Sequence, residues 1–333
     1  MEDAPHSMGS LPGTRRYRGR FAPSPTGPLH FGSLVAATAS YLDARANHGA
    51  WLLRIEDVDR PRVVKGAADA ILHALEAFRF EWDEAIVWQS TRDAAYRESL
   101  DRLEAAGWVY PCTCTRREIA GAGTVADDGT PRYPGTCRNG VAEGRVSRAW
   151  RLRVDHTPIA FEDRCQGLRE WNLWRDVGDF VLLRGDGIFS YQLAVVVDDA
   201  FQEVTDVVRG ADLLSSTPRQ IHLQRALGLP TPRYLHIPVA EGEPGKKLSK
   251  QTLAAAIDHG EAGRLLHESL AFLGQQPPAD LAAAPPREIW AWAIAHWNPE
   301  RIPRTLALPA PARLQPGGAA SGPAFSPVPS PPR

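Results

Sequence analysis

Apolar positions along this chain fall into two alternating rhythms. RGRFAP (residues 18–23) reads as a short strand, and WLLRIED (residues 51–57) as a buried strand that ends in acids. Between them, GSLVAATASYLDARANHG (residues 32–49) has helical spacing, with Leu34, Ala37, Tyr41 and Leu42 on one side and His48-Gly49 as a stop. Helices are predicted again near residues 65–79 and 92–107. Strand-like AWRLRV (149–154) and DFVLLRGDG (179–187) follow. YQLAVVVDDAFQEVTDVVRG (191–210) predicts helix then strand, and STPRQIHLQRALG (216–228) a helix opened by Ser216 or Thr217. Helical spacing returns in TLAAAIDHG (252–260), EAGRLLHESLAFLG (261–274) and REIWAWAIAHW (287–297). The alternation predicts an α/β fold with a doubly wound parallel sheet.

Three segments break the rhythm. Residues 1–18 lack periodicity and read as a flexible leader. Residues 111–148 hold three cysteines among glycines and prolines, with almost no apolar run, and read as an insert held by something other than a hydrophobic core. From Pro309 onward, proline, glycine, alanine and serine dominate, which predicts a disordered tail over 309–333. The expected organisation is a catalytic domain from 19–110 and 149–255, the cysteine-rich insert, and a short helical region over 256–308.

Composition changes this picture little. The chain has 333 residues, 43% of them hydrophobic, and a net charge of -1, so any contact with nucleic acid must use local clusters of Lys and Arg. No apolar stretch is long enough for a transmembrane helix, and the N-terminus lacks a secretory core segment. No membrane partner, a cytoplasmic location and a monomer are expected. Cys112, Cys114, Cys137 and Cys165 are then expected to be reduced or metal-bound.

Two distant stretches carry candidate chemistry. FAPSPTGPLHFGS (residues 21–33) sets His30 at the mouth of a helix, after prolines and glycines that let backbone approach a ligand. A helix start offers unpaired N–H groups and partial positive charge to phosphate. KKLSK (residues 246–250), after the hinge-like EGEPG, offers Lys246, Lys247 and Lys250 to the charge that builds when the α-phosphate of ATP is attacked. Either alone reads as an ordinary turn or a solvated basic loop. In this order they point to activation of a carboxylate with ATP. In the insert, CxC…YxxxC places three thiols close enough in sequence to hold Zn²⁺.

PSPTGPLHFGS and KLSK resemble the HIGH and KMSKS signatures of class I aminoacyl-tRNA synthetases, and RFAPSPTG with LRIEDVDRPR resembles the glutamyl branch, over roughly residues 19–255. Phe31 and Ser33 depart from the first signature, and Gln251 from the second. The resemblance implies a Rossmann-like parallel sheet with a small zinc-bearing insert and short C-terminal helices. It implies catalytic roles for His30 and Lys250, and ATP binding by His30, Gly32, Lys247 and Lys250 with Mg²⁺ entering on the nucleotide. Glutamate would be held by Arg20, Phe21, Ala22, Pro23, Ser24, Glu56, Tyr191 and Arg209. The arginines suit its carboxylates, and Glu56 its ammonium. Zinc would be held by Cys112, Cys114, Tyr133 and Cys137, with Cys165 and His156 competing for the tyrosine's place. The chain after Lys250 leaves no room for a helical anticodon-binding region. It therefore resembles the short members of the branch that attach glutamate to queuosine in the anticodon of aspartate tRNA. Arg116, Arg117, Arg132 and Arg138 are candidate RNA contacts.

Overall fold

The structure is a computed structural model, and it describes residues 16–123, 125, 129, 131–141, 143–243, 246–247 and 256–315. Strand β1 (Arg18–Phe21) leads into helix α1 (Phe31–Ala46), followed by β2 (Ala50–Ile55), α2 (Ala67–Ala77), β3 (Asp83–Trp88) and α3 (Asp93–Ala105). The chain continues through β4 (Val109–Cys112), the short α4 (Arg116–Ala120), β5 (Ala149–Leu152), β6 (Ile159–Asp163), β7 (Gly167–Trp171), α5 (Leu173–Asp176) and β8 (Phe180–Leu183). A second α/β run comprises α6 (Tyr191–Phe201), β9 (Asp206–Gly210), α7 (Thr217–Leu227) and β10 (Arg233–Ile237). Then come β11 (Val239–Glu243), β12 (Lys246–Lys247), α8 (Ala262–Phe272), α9 (Pro286–His296) and β13 (Ala307–Pro309).

Strands β1, β2 and β3 pair in parallel, as do β9, β10 and β6. The two groups adjoin where the Thr205 N–H donates to the Arg18 carbonyl at 2.9 Å, just before β9. The strand order therefore runs 3-2-1-9-10-6, and the chain reverses direction across the sheet between β1 and β9. Open parallel sheets bind ligands at such a switch point, beyond the carboxyl ends of the strands.

Local sequence explains the framing elements. Helix α1 is capped by the His30 side chain, which accepts from the Ser33 N–H. Its end is tight: His48 has φ 52°, and a Cβ at Gly49 would lie 2.5 Å from the Tyr17 carbonyl, so glycine is required there. Trp51, Phe80, Tyr41 and Trp290 form one aromatic cluster, with Tyr41 and Trp290 centroids 4.9 Å apart. That cluster brings α9 onto the first half of the sheet. Buried Asp43 completes the tie by accepting from Tyr17, Arg164 and the Trp297 indole.

The sheet is less uniform than the periodicity predicts. β4, β5 and β8 form a separate antiparallel sheet, and β7 pairs antiparallel with β6. Within 252–260, residues 256–258 are not helical, and a single 3-10 turn forms at His259–Glu261. The ends also differ. Tyr17, expected in the leader, is buried and donates to Asp43 at 2.6 Å. Residues 309–315, expected in the tail, join the body: β13 pairs with β11, Ala310 is buried, and Arg313 pairs with Glu261 and Glu268. A proline-rich composition hides this because the segment is held by strand addition and ion pairs rather than by an apolar run.

Candidate active site and cysteine centre

A cavity of about 900 Å³ opens at the switch point. Its walls come from the carboxyl ends of β1, β2 and β9, the turn before α1, and the start of α6. All of Arg20, Phe21, Ala22, Pro23, Ser24, His30, Gly32, Glu56, Tyr191 and Arg209 line it. Phe21 does so while its ring stacks on Trp51 in the core at 6.2 Å.

The turn before α1 fixes a tautomer. His30 Nδ1 accepts the Ser33 N–H at 3.3 Å, so in the neutral ring the proton sits on Nε2, which lies 3.1 Å from Ser33 Oγ. The nitrogen able to donate to a phosphate oxygen is therefore Nε2. Gly27, at φ 147°, supplies a conformation closed to other residues in the same turn.

Behind the cavity runs a chain of buried charge. Arg54, fully buried in β2, donates to Asp199 at 2.8 Å and to Glu56 at 3.3 Å, and Arg20 donates to Asp199 at 3.2 Å. Burial pushes the Asp199 carboxyl upward, but Arg20 and Arg54 outweigh it and hold it below its ordinary range. Burial also dominates at Glu56, and there it wins over Arg54 and Arg20, so its pKa is raised. An arriving ammonium would favour the ionised form. On the opposite wall, Arg209 in β9 donates from Nη1 to Tyr191 Oη at 3.4 Å and from Nη2 to Thr217 Oγ1 at 2.8 Å. Its Nε–H donates to His236 at 3.0 Å. Two arginines and a carboxylate thus face one space, the charge pattern that glutamate would match.

The lysine motif falls mostly outside the described residues: Leu248, Ser249 and Lys250 are not described, and Lys246 and Lys247 are placed only as the backbone of β12. Both flanks are placed at the cavity. Val239 and Ala240 of β11 line it, and the Ile257 N–H donates to the Leu29 carbonyl at 3.1 Å, next to His30.

The cysteine cluster lies apart from this cavity. Strand β4 delivers Cys112, and a capping box between Thr115 and Glu118 fixes the turn that carries Cys114. The three Sγ atoms lie within 4.8 Å of one another, with Cys114 and Cys137 at 3.5 Å. Tyr133 Oη lies 3.5 Å from Cys112 Sγ and 3.8 Å from Cys114 Sγ, and accepts the Cys137 N–H at 2.7 Å. A tetrahedral zinc with Zn–S near 2.3 Å wants sulfurs about 3.8 Å apart, so the donor set fits. At Cys137 burial opposes ionisation, but hydrogen bonds from the Thr113 backbone and Tyr133 outweigh it and bring the thiol down to about 6. Arg151 donates to Cys112 Sγ at 3.3 Å and lies 3.9 Å over the Tyr133 ring, so a cation already sits beside the donors. Neither competitor for the fourth place joins them. Cys165 packs against the Pro303 carbonyl at 3.7 Å, and His156 lies against Trp174 at 4.7 Å.

Of the candidate RNA contacts, Arg138 pairs with Asp179 and the Val154 carbonyl, and Arg132 donates to the Trp174 carbonyl. Those two serve the fold, while Arg116 and Arg117 are exposed on α4. Arg54, Asp199, His236 and Asp163 were not singled out from the sequence. One signal was present: Arg54 interrupts an apolar strand run, where a charge must find a buried partner.

The family described as tRNA synthetases class I (E and Q), catalytic domain, matches residues 16–273. The chain is 61% identical to the glutamyl-Q tRNA(Asp) synthetase of Aromatoleum aromaticum, over 89% of this chain and 93% of that one. It is 58% identical to the protein of that name from Dechloromonas aromatica, over 89% of this chain and 99% of that one. Its fold is similar to that of the glutamate-tRNA synthetase of Elizabethkingia anophelis, with a TM-score of 0.72 at 26% identity, covering 88% of this chain and 68% of that chain.

Proposed function

The chain belongs to the glutamyl-Q tRNA(Asp) synthetases, within the class I tRNA synthetases, and from that membership we propose the reaction its crevice performs: ATP-dependent activation of glutamate and its transfer to queuosine in the anticodon of aspartate tRNA. The observation that carries the reading is a single cavity lined both by the His30 turn and by Arg20, Glu56, Tyr191 and Arg209. In the first step an oxygen of the glutamate α-carboxylate attacks the α-phosphorus of ATP, which enters with Mg²⁺. A new P–O bond forms, and the bond to pyrophosphate breaks. His30 Nε2–H and the α1 N-terminus hold phosphate oxygens, Gly32 lets the backbone come close, and Lys247 and Lys250 meet the charge on the departing pyrophosphate. Arg20 and Arg209 align the carboxylates, and Glu56 the ammonium. In the second step a hydroxyl of the queuosine cyclopentene ring attacks the adenylate carbonyl. An ester forms, AMP leaves, and the hydroxyl proton passes to solvent or to the AMP phosphate. The chain mainly supplies alignment and charge.

Cys112, Cys114, Cys137 and Tyr133 would hold a structural zinc, which supplies cross-linking of the module and takes part in neither step. Among the described residues no helix is long and apolar enough to cross a membrane. A monomeric enzyme working in the cytoplasm, where ATP and tRNA are found, is the accompanying reading. Glutamate-dependent exchange of labelled pyrophosphate into ATP, run without RNA, tests the first step. Exchange is expected; its absence from zinc-loaded protein would leave a catalytically silent RNA binder instead.

A further inference from the structure

Among the described residues, no acid pairs with Arg209. The guanidinium that faces the cavity rests its Nε–H on a neutral-type acceptor, His236 Nε2, at 3.0 Å. The other ring nitrogen, Nδ1, lies 2.5 Å from Asp163 Oδ2, and both side chains are fully buried. Asp163 can only accept here. Its oxygens already receive the backbone N–H groups of Cys165 at 3.0 Å, Gln166 at 2.8 Å and His236 at 3.1 Å. It must therefore accept a hydrogen bond from Nδ1–H rather than donate one, and that fixes the tautomer: Nδ1 carries the hydrogen and Nε2 presents a lone pair. Burial holds the His236 pKa down to about 4. Burial pushes the Asp163 carboxyl up, but the His236 ring and the Gln166 and His236 backbone N–H groups together outweigh it and bring it down to about 2. Thr217 closes the ring of contacts. Its hydroxyl accepts from Arg209 Nη2 at 2.8 Å and lies 3.1 Å from His236 Nε2, to which it can donate.

We propose that Asp163 and His236 are positioning residues for glutamate recognition, acting as a relay that orients Arg209 without neutralising it. A carboxylate in the place of His236 would pair with Arg209 and compete with the substrate. A neutral acceptor fixes the plane of the fork and leaves its full charge to the ligand. The contrast lies across the cavity, where Arg20 is tied to Asp199 at 3.2 Å and so brings part of its charge already spent. Arg209 is then the stronger of the two forks for glutamate. The inference rests on the assignment of Arg209 to a glutamate carboxylate.

Pyrophosphate exchange separates the cases. Asp163→Asn should turn its amide N–H₂ toward Nδ1, shift the imidazole proton to Nε2 and set donor against donor at Arg209. His236→Asn keeps a partner for Asp163 and removes the acceptor, whereas His236→Gln can place its Oε1 where Nε2 was. Asp163→Asn and His236→Asn are expected to raise the KM for glutamate about tenfold or more, with the KM for ATP unchanged, and His236→Gln to restore it to within about threefold of wild type. Equal KM values for His236→Asn and His236→Gln, or changes that follow the melting temperatures alone, would overturn the relay. Arg209→Ala is the control: if it leaves the glutamate KM unchanged, the assignment of Arg209 fails first. The wild-type chain offers a check independent of variant folding. In ¹⁵N-histidine-labelled protein, the ring assigned to His236 should carry its proton on Nδ1; a proton on Nε2 would contradict the relay.

Discussion

The crevice is built where two large apolar cores meet: Leu29, Val208, Ile237 and Ala240 come from one, and Phe189 and Tyr191 pack on the other. The cysteine cluster rests instead on a small buried patch of Tyr110, Cys112, Tyr133 and Cys137. Polar atoms in the crevice are therefore positioned by the scaffold. A chain of fixed partners, Arg20 to Asp199 to Arg54 to Glu56, holds them before any ligand arrives. In the module the donors have mostly one another, with Arg151 and Thr113 beside them. The difference teaches where each region should fail. Truncation in the crevice should cost chemistry while the fold survives, and truncation in the module should cost local structure while glutamate activation survives.

Five substitutions, one of them read by a pH titration, probe that contrast. The largest effect is expected from Lys250→Ala, which should lower kcat for adenylate formation about 10²- to 10³-fold with little change in the KM for ATP, because its charge is needed most in the transition state. Equal losses in both constants would contradict that role. Arg209→Ala should raise the KM for glutamate about 10- to 100-fold in the same exchange assay while the melting temperature stays near wild type. Cys137→Ser or Cys114→Ser should abolish a metal content of about one zinc per chain and expose residues 111–148 to limited proteolysis, yet leave pyrophosphate exchange within about threefold. Collapse of exchange in a zinc-free but folded variant would show that the two regions are coupled.

The smallest effect concerns acid. His236 has its pKa lowered to about 4, by burial first, and Asp163 to about 2, so the unfolded chain takes up both protons at higher pH than the folded one. Stability is then full above the ordinary values of ~6.5 and ~3.9. It falls as pH drops first through the histidine window and then through the carboxylate window. Melting temperature should decline between about pH 6.5 and 4, and His236→Gln should flatten that decline; an unchanged slope would remove His236 as its source.

What was legible in the sequence follows from range. The elements β1, α1, β2, α2 and α3 and the α6–β9 pair depend on neighbours within a few residues, and each lies where expected, whereas β3 between α2 and α3 was not predicted. The β6–β7 hairpin was missed because its inward positions alternate with exposed ones and include buried Asp163, while Leu168 faces outward, so no apolar run marks it. Asp163 and His236 meet across 73 residues, and neither has a local pattern. Tyr133 could be ranked against Cys165 and His156 only by resemblance until the fold brought its hydroxyl to the thiols.

The most direct test supplies labelled glutamate and ATP with aspartate tRNA that either carries or lacks queuosine, then digests the RNA and identifies the labelled nucleoside. The account predicts label on the queuosine nucleoside of the anticodon and none on the queuosine-free tRNA. Label on the 3′-terminal adenosine, or equal labelling of both tRNAs, would contradict it.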